Sequence, residues 1–133
     1  MQQRNKQRSS DARRINDARR IGDIGEDAVC AYLREKGAEI LCRNFTVRGG
    51  EIDIIAALNG FLLFVEVKTR RPNALQSGAA AVTPKKQQHL IFAAETYLLK
   101  NPSDLQPRFD VAEVEYDGSF VRHIEYYENA FTA

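Results

Sequence analysis

The sequence predicts one α/β domain in which a mixed central sheet is flanked by helices, in the order αβββαββ, and three features of the chain carry that prediction. Apolar residues recur at three- and four-residue intervals in two segments, Ile24 to Tyr32 and Leu90 to Leu98, which is the spacing of one-sided helices. Between and after them lie short stretches rich in Ile, Val, Phe and Tyr, the composition of strands. Four of those stretches are joined in pairs by Asn59-Gly60 and Asp117-Gly118, residues that tolerate the positive φ of tight hairpin turns. With 133 residues and 44% hydrophobic content, the chain can fill one compact core but not two.

Residues 1–20 are set apart by charge. They hold seven Arg or Lys against two Asp, a balance of +5, whereas the rest holds twelve against sixteen, a balance of −4. Asp11-Ala-Arg-Arg-Ile-Asn is followed at once by Asp17-Ala-Arg-Arg-Ile-Gly, a near-repeat that could extend a helix but offers almost nothing to bury. Residues 1–20 are therefore expected to form a basic, flexible N-terminal arm, and residues 21–133 the domain. Such an arm suits a polyanion, because Lys and Arg gain affinity by displacing counterions from phosphates. A solvated tail accounts for the same charge equally well.

The first helix is expected from Ile21 to about Lys36, with Ile24, Ala28, Ala31 and Tyr32 on its apolar face and Gly37 as its stop. Glu39 to Val47 reads as a strand, broken by Arg48-Gly49-Gly50. Glu51 to Leu58 is the second strand and Phe61 to about Thr69 the third. A loop holding Arg70, Arg71, Pro72 and Gly78 leads to a second helix, Pro84 to Lys100, opened by Thr83-Pro84. Phe109 to Tyr116 and Ser119 to Tyr126 form the last hairpin across Asp117-Gly118.

The longest apolar runs, Ile54 to Leu58 and Phe61 to Val65, are far too short to span a bilayer, so no membrane partner is expected. The N-terminus lacks the apolar stretch and cleavage site of a secretory signal, which points to the cytoplasm. Cys30 and Cys42 have neither the spacing of a zinc site nor that of a disulfide framework, and are expected to be small core residues. His89 and His123 have no evident partners and are expected only to pack.

The chemistry concentrates on the first hairpin. If Asn59-Gly60 is a two-residue loop, Leu58 faces Phe61, and counting down the ladder sets Asp53 opposite Glu66 and Glu51 opposite Lys68, all on one face with Ile55, Leu62 and Phe64. Opposed carboxylates repel unless a proton or a cation intervenes. Their hard oxygens suit Mg²⁺ or Mn²⁺, which keep several waters and accept phosphate oxygens. Lys68 could orient the attacking water and offset charge on the phosphorus. A surface cluster in which Glu51 pairs with Lys68 is the bland alternative, and it leaves the adjoining apolar stripe unexplained.

An Asp followed after a hairpin by Glu-x-Lys, here Asp53 and Glu66-Val67-Lys68, resembles the motif of the restriction-endonuclease-like nucleases, whose element order also agrees. More closely, the chain resembles the bacterial UPF0102 (YraN-like) family through Gly25-Glu26, Tyr32-Leu33, Asn44, Gly50-Glu51-Ile52-Asp53, Phe64 to Lys68, Lys86, Tyr97-Leu98 and Arg108 to Val111, over roughly residues 20–116. The resemblance implies a restriction-endonuclease-like fold related to Holliday-junction resolvases. In that reading Asp53 and Glu66 are the main metal ligands, Glu26 is an outer carboxylate at the metal and Lys68 is the catalytic lysine. Ile52 stands where many members of the superfamily have proline, and the arm falls outside the matched region.

The function expected is therefore a metal-dependent endonuclease acting on DNA, with branched or single-stranded DNA as candidate substrates. Arg70 and Arg71 after the third strand, and Lys85, Lys86 and Gln87 at the start of the second helix, are candidate contacts to the nucleic-acid backbone. Resolvase-like enzymes that cut two strands symmetrically need two sites and are often dimers, which makes a homodimer a candidate assembly. Two other readings stay open: a non-catalytic nucleic-acid-binding module using the arm and these basic residues, and an interaction subunit docking through the hairpin edge or Tyr126, Tyr127 and Phe131.

Overall fold

The computed structural model describes residues 2–74 and 82–133, apart from the side chains of residues 2–9 and Ile15. Its element order is α1 (Gln2–Glu35), β1 (Glu39–Val47), β2 (Gly50–Leu58), β3 (Phe61–Arg70), α2 (Pro84–Lys100), β4 (Gln106–Tyr116) and β5 (Val121–Phe131). The strands form one mixed five-stranded sheet in sequence order, antiparallel at every step except the parallel pair β3 and β4. The parallel step follows from α2, which carries the chain back across the sheet. The expected order and mixed sheet are thus both present. Gly78 lies outside the described residues.

The two helices cover opposite faces. Leu90, Ala93, Ala94 and Tyr97 of α2 pack on Ile52, Ile55, Leu62, Phe64, Phe109 and Val111, while Val29, Cys30 and Leu33 of α1 pack on Ile54, Ala56, Leu63, Val65, Ala112 and Val114. Cys30 is buried and Cys42 half-buried against the α2 core, both as free thiols. Thr83 caps α2 by accepting the Lys86 N–H, with Pro84 in the first turn, as its Thr-Pro opening predicts.

Several boundaries differ from expectation. Helix α1 begins at Gln2, well upstream of Ile21, so the basic segment continues the helix. Every described side chain from Ser10 to Arg20 is exposed, which is why apolar periodicity could not reveal it. The buried stripe of α1 runs through Gly25, Glu26, Val29, Cys30 and Leu33, whereas Ala31 is exposed and Ile24, Ala28 and Tyr32 are only half-buried. The last hairpin has a longer turn than Asp117-Gly118 alone: Tyr116 pairs with Val121, and the Asp117 N–H donates to the Phe120 carbonyl. Neither histidine packs, since both are exposed and His123 lies 2.7 Å from the Glu125 carboxylate.

Candidate active site

The first hairpin forms as its turn residues require. Asn59 and Gly60 adopt φ of 51° and 84°, and the ladder runs from Leu58↔Phe61 through Ile55↔Phe64 to Ile54↔Val65. It ends there, one step short of Asp53 and Glu66, so the expected direct pairings Asp53 with Glu66 and Glu51 with Lys68 do not form. Beyond this point β2 stays with β1 as far as Val47↔Gly50, while β3 stays with β4 as far as Arg70↔Glu115. The site occupies the fork between them.

The cause is local. Ile52 faces the α2 core and Ile54 the α1 core, so strand alternation breaks at Asp53, between the paired steps Arg43↔Ile54 and Phe45↔Ile52. The residue of β1 in the same interval, Asn44, has a φ of 53°. Irregularities of this kind re-aim side chains. Asp53 Oδ2 then accepts the Val67 N–H at 2.8 Å, taking the place of the strand carbonyl that a continued ladder would have supplied.

Glu66 is 4% exposed, with Oε1 at 3.2 Å from Lys68 Nζ and 3.8 Å from Lys86 Nζ. Its Oε2 is buried and without a hydrogen-bond partner. Burial, then the adjacent Glu66 charge, push the Asp53 carboxyl up to about 7, against the pull of the Val67 N–H. Glu26, 8% exposed on α1, is also pushed up to about 7, first by burial and then by Asp53, while Asn44 and Arg43 pull it down. Arg43 spans Glu26 at 3.5 Å and Asp27 at 2.8 Å.

Glu26 reaches this place because of its neighbour. A Cβ on Gly25 would stand 2.0 Å from Thr69 Oγ1, so only glycine lets α1 lie this close to β3. The resulting cleft, about 450 Å³, is bounded by Ala18, Ile21 and Gly22 of α1, by the carboxylates of Glu26, Asp53 and Glu66, and by Lys68 and Arg70.

The structure thus gathers Glu26, Asp53, Glu66 and Lys68, with Lys86 arriving from α2 and Arg70 on the wall. Lys85 is exposed, and Gln87 donates to the Val82 carbonyl at 3.0 Å, so neither joins them. Arg43 escaped sequence reasoning, as did Glu113, which is 1% exposed and stands opposite Lys68 in the β3–β4 register, and Asn44 enters that reasoning only as a family-signature residue with no site role. Burial of a carboxylate inside an otherwise apolar strand, Val111 to Val114, was the signal available for Glu113.

Among the described residues no group of three or more His, Cys, Asp or Glu is arranged to hold a metal ion. What is present is a carboxylate pair with a buried oxygen lacking a hydrogen-bond partner. That donor set fits Mg²⁺ or Mn²⁺, since Mg²⁺ is commonly held by one or two carboxylates with waters and phosphates filling the rest. Elsewhere on the chain, no described helix is long and apolar enough to cross a membrane.

Comparison with known proteins places these residues in a family. The family described as "Uncharacterised protein family UPF0102" matches residues 25–114. A UPF0102 protein of Alkaliphilus oremlandii is 44% identical over 83% of this chain and 96% of its own length. One from Symbiobacterium thermophilum is 43% identical over 84% and 96%, and one from Pelobacter propionicus 42% identical over 83% and 81%. With Glu26, Asp53, Glu66, Lys68 and Lys86 all inside the matched region, the chain belongs to the UPF0102 family.

Proposed function

We propose that the chain is a Mg²⁺- or Mn²⁺-dependent endonuclease of the restriction-endonuclease-like type that hydrolyses phosphodiester bonds in DNA. The observation that carries this reading is the pair of half-buried Asp53 and buried Glu66 at the open end of the β2–β3 ladder, with one Glu66 oxygen lacking a hydrogen-bond partner. Folding brings two like charges together there at a cost, and a bound cation offsets it.

Asp53 and Glu66 would hold the metal, with Glu26 as an outer carboxylate. The metal supplies polarisation of a phosphoryl oxygen and a more acidic water. The Val67 N–H fixes the Asp53 carboxylate in place. Lys68 and Lys86 stand where they can orient water and balance charge gathering on the phosphate oxygens. Arg70, on the cleft wall, is placed to hold the nucleic-acid backbone. A cytosolic setting and a homodimer for symmetric cutting belong to the same reading.

One observation favours the non-catalytic reading: both lysines already approach Glu66 Oε1, so the site is partly neutralised without a metal. Calorimetric titration of Mn²⁺ and Mg²⁺ into wild type and Asp53→Ala, followed by cleavage of labelled single-stranded, duplex and four-way DNA, separates the two. The nuclease reading expects binding and cleavage that both vanish in the variant. Absence of metal binding in wild type, with DNA binding that survives EDTA, would replace it with the binding-module reading.

A further inference from the structure

The wall of the candidate site is shared with a second depression. This outer space, also about 450 Å³, is lined by Arg71, Pro72 and Tyr116 together with Ile21, Thr69 and Arg70, and the last three also line the carboxylate cleft. The two spaces therefore adjoin across Ile21, Thr69 and Arg70 at the end of β3. A volume of this order lies in the usual range for small-ligand sites, about 300 to 1,000 Å³.

Its chemistry is specific. Tyr116 is half-buried, Pro72 gives a second apolar surface, and neither Arg70 nor Arg71 forms an ion pair with a described residue. The acid on its rim, Asp117, is engaged in its own turn: it accepts the Ser119 and Phe120 N–H groups at 2.8 Å each and pairs with Arg122. Two guanidinium groups that pair with no described residue line the same depression as an aromatic ring, which suits a phosphate and an unpaired base, since base stacking on aromatic rings tolerates any sequence.

We propose that the outer depression is a subsite for one unpaired nucleotide adjoining the scissile phosphate, with its base stacked on Tyr116 and its phosphates held by Arg70 and Arg71. Its placement rests on the nuclease reading, and it sharpens that reading: the substrate carries a single-stranded stretch at the point of cutting. A base held in an uninterrupted duplex would have to leave its stack to enter.

The test uses the full chain with Ca²⁺ in place of Mg²⁺ and a fluorescein-labelled duplex bearing a short single-stranded overhang, which fixes the register. An abasic site is stepped through the overhang and affinity is read by anisotropy. One position is expected to lose about five- to tenfold in affinity, and Tyr116→Leu, which keeps apolar bulk, loses the same on the intact strand but nothing further at that abasic position. Tyr116→Phe is expected to behave as wild type. Losses independent of position, an unaffected Tyr116→Leu, or preference for blunt duplex would overturn the subsite and leave the nuclease reading standing. A position-specific loss in a protein that cleaves no DNA with Mg²⁺ or Mn²⁺ would keep the subsite and sink the nuclease reading.

Discussion

Two buried carboxylate centres lie one register step apart on neighbouring strands, Asp110 opposite Val65 and Glu66 opposite Val111, and their surroundings could hardly differ more. Asp110 is fully buried and fully answered: Arg108 Nε and Nη2 donate to it at 2.9 Å each, the Tyr126 hydroxyl at 2.6 Å and the Asn129 N–H at 2.9 Å. Glu66, almost as deeply buried, has one oxygen shared by two lysines and another with no hydrogen-bond partner, and Asp53 beside it holds its proton to about 7. On the nuclease reading, burial alone therefore does not mark a functional carboxylate, and what sets Glu66 apart from Asp110 is burial without full satisfaction, because an unanswered polar group costs stability that a purely structural role would not leave in place.

The contrast makes opposite demands on substitution. If the chain is the nuclease proposed above, removing Asp53 or Glu66 as Ala lowers metal-dependent cleavage by on the order of a hundred- to a thousandfold, the scale for losing a main electrostatic group, while leaving the melting temperature unchanged or raised. Cleavage assays beside thermal melts read both, and equal activity in the variants would break the comparison. Asp110→Ala should do the reverse, costing about 3 kcal/mol because the half-buried Arg108 guanidinium is left with only Glu128 at 3.8 Å and the Tyr126 hydroxyl and Asn129 N–H lose their acceptor, with no effect on the candidate site per folded molecule. Urea titration measures the first and activity normalised to folded fraction the second.

A smaller effect tests how Glu26 joins the site. Gly25→Ala should destabilise by about 1 to 3 kcal/mol, because the new methyl collides with Thr69 Oγ1 and α1 must move off β3. Adding Thr69→Ala should recover much of the loss. No recovery in that double variant would show that the close approach is not what positions Glu26.

The smallest effect is the pH dependence. Asp53 and Glu26 keep protons to about 7 in the folded chain, against ordinary values of 3.8 and 4.5, so from about pH 4 to 7 the folded state binds more protons than the unfolded one. Their stabilisation is complete below that window and is lost as pH rises through 7. In EDTA the melting temperature should therefore fall by about a few degrees between pH 5 and 8. Asp53→Asn should flatten the slope, and Mn²⁺ at pH 8 should restore stability by binding the ionised pair. A melting temperature that rises over this range would contradict the raised carboxyls.

Much of this was legible in the residues themselves. Asn59-Gly60 fixed the hairpin and its register as far as Val65, because turn geometry propagates step by step along a ladder. It could not reveal where the ladder stops, since the break at Asp53 coincides with the positive φ of Asn44 on β1, a strand outside the hairpin. The stripe of α1 was misplaced for a related reason: its buried face passes through Gly25 and Glu26, which score as a breaker and a charge. Val29, Cys30 and Leu33 extended back one turn point at that pair. The exposed start of α1 left no apolar trace at all. Tyr126 and Phe131, candidates for a docking edge, are used within the fold, one bonded to Asp110 and the other stacked on Phe109.

The single parallel step in the sheet has a bearing on the order of assembly. The β2–β3 hairpin closes over two residues and can form within microseconds, whereas β3 meets β4 only after a long crossover has been laid down. Asp53 and Glu66 therefore lie on strands that are joined locally, whereas Lys86 belongs to the crossover helix and reaches them only once α2 has docked on the sheet. The lysine from the crossover that tempers the Glu66 charge is thus delivered by the one non-local connection in the sheet, so the balance of charge at the site depends on the parallel step being completed.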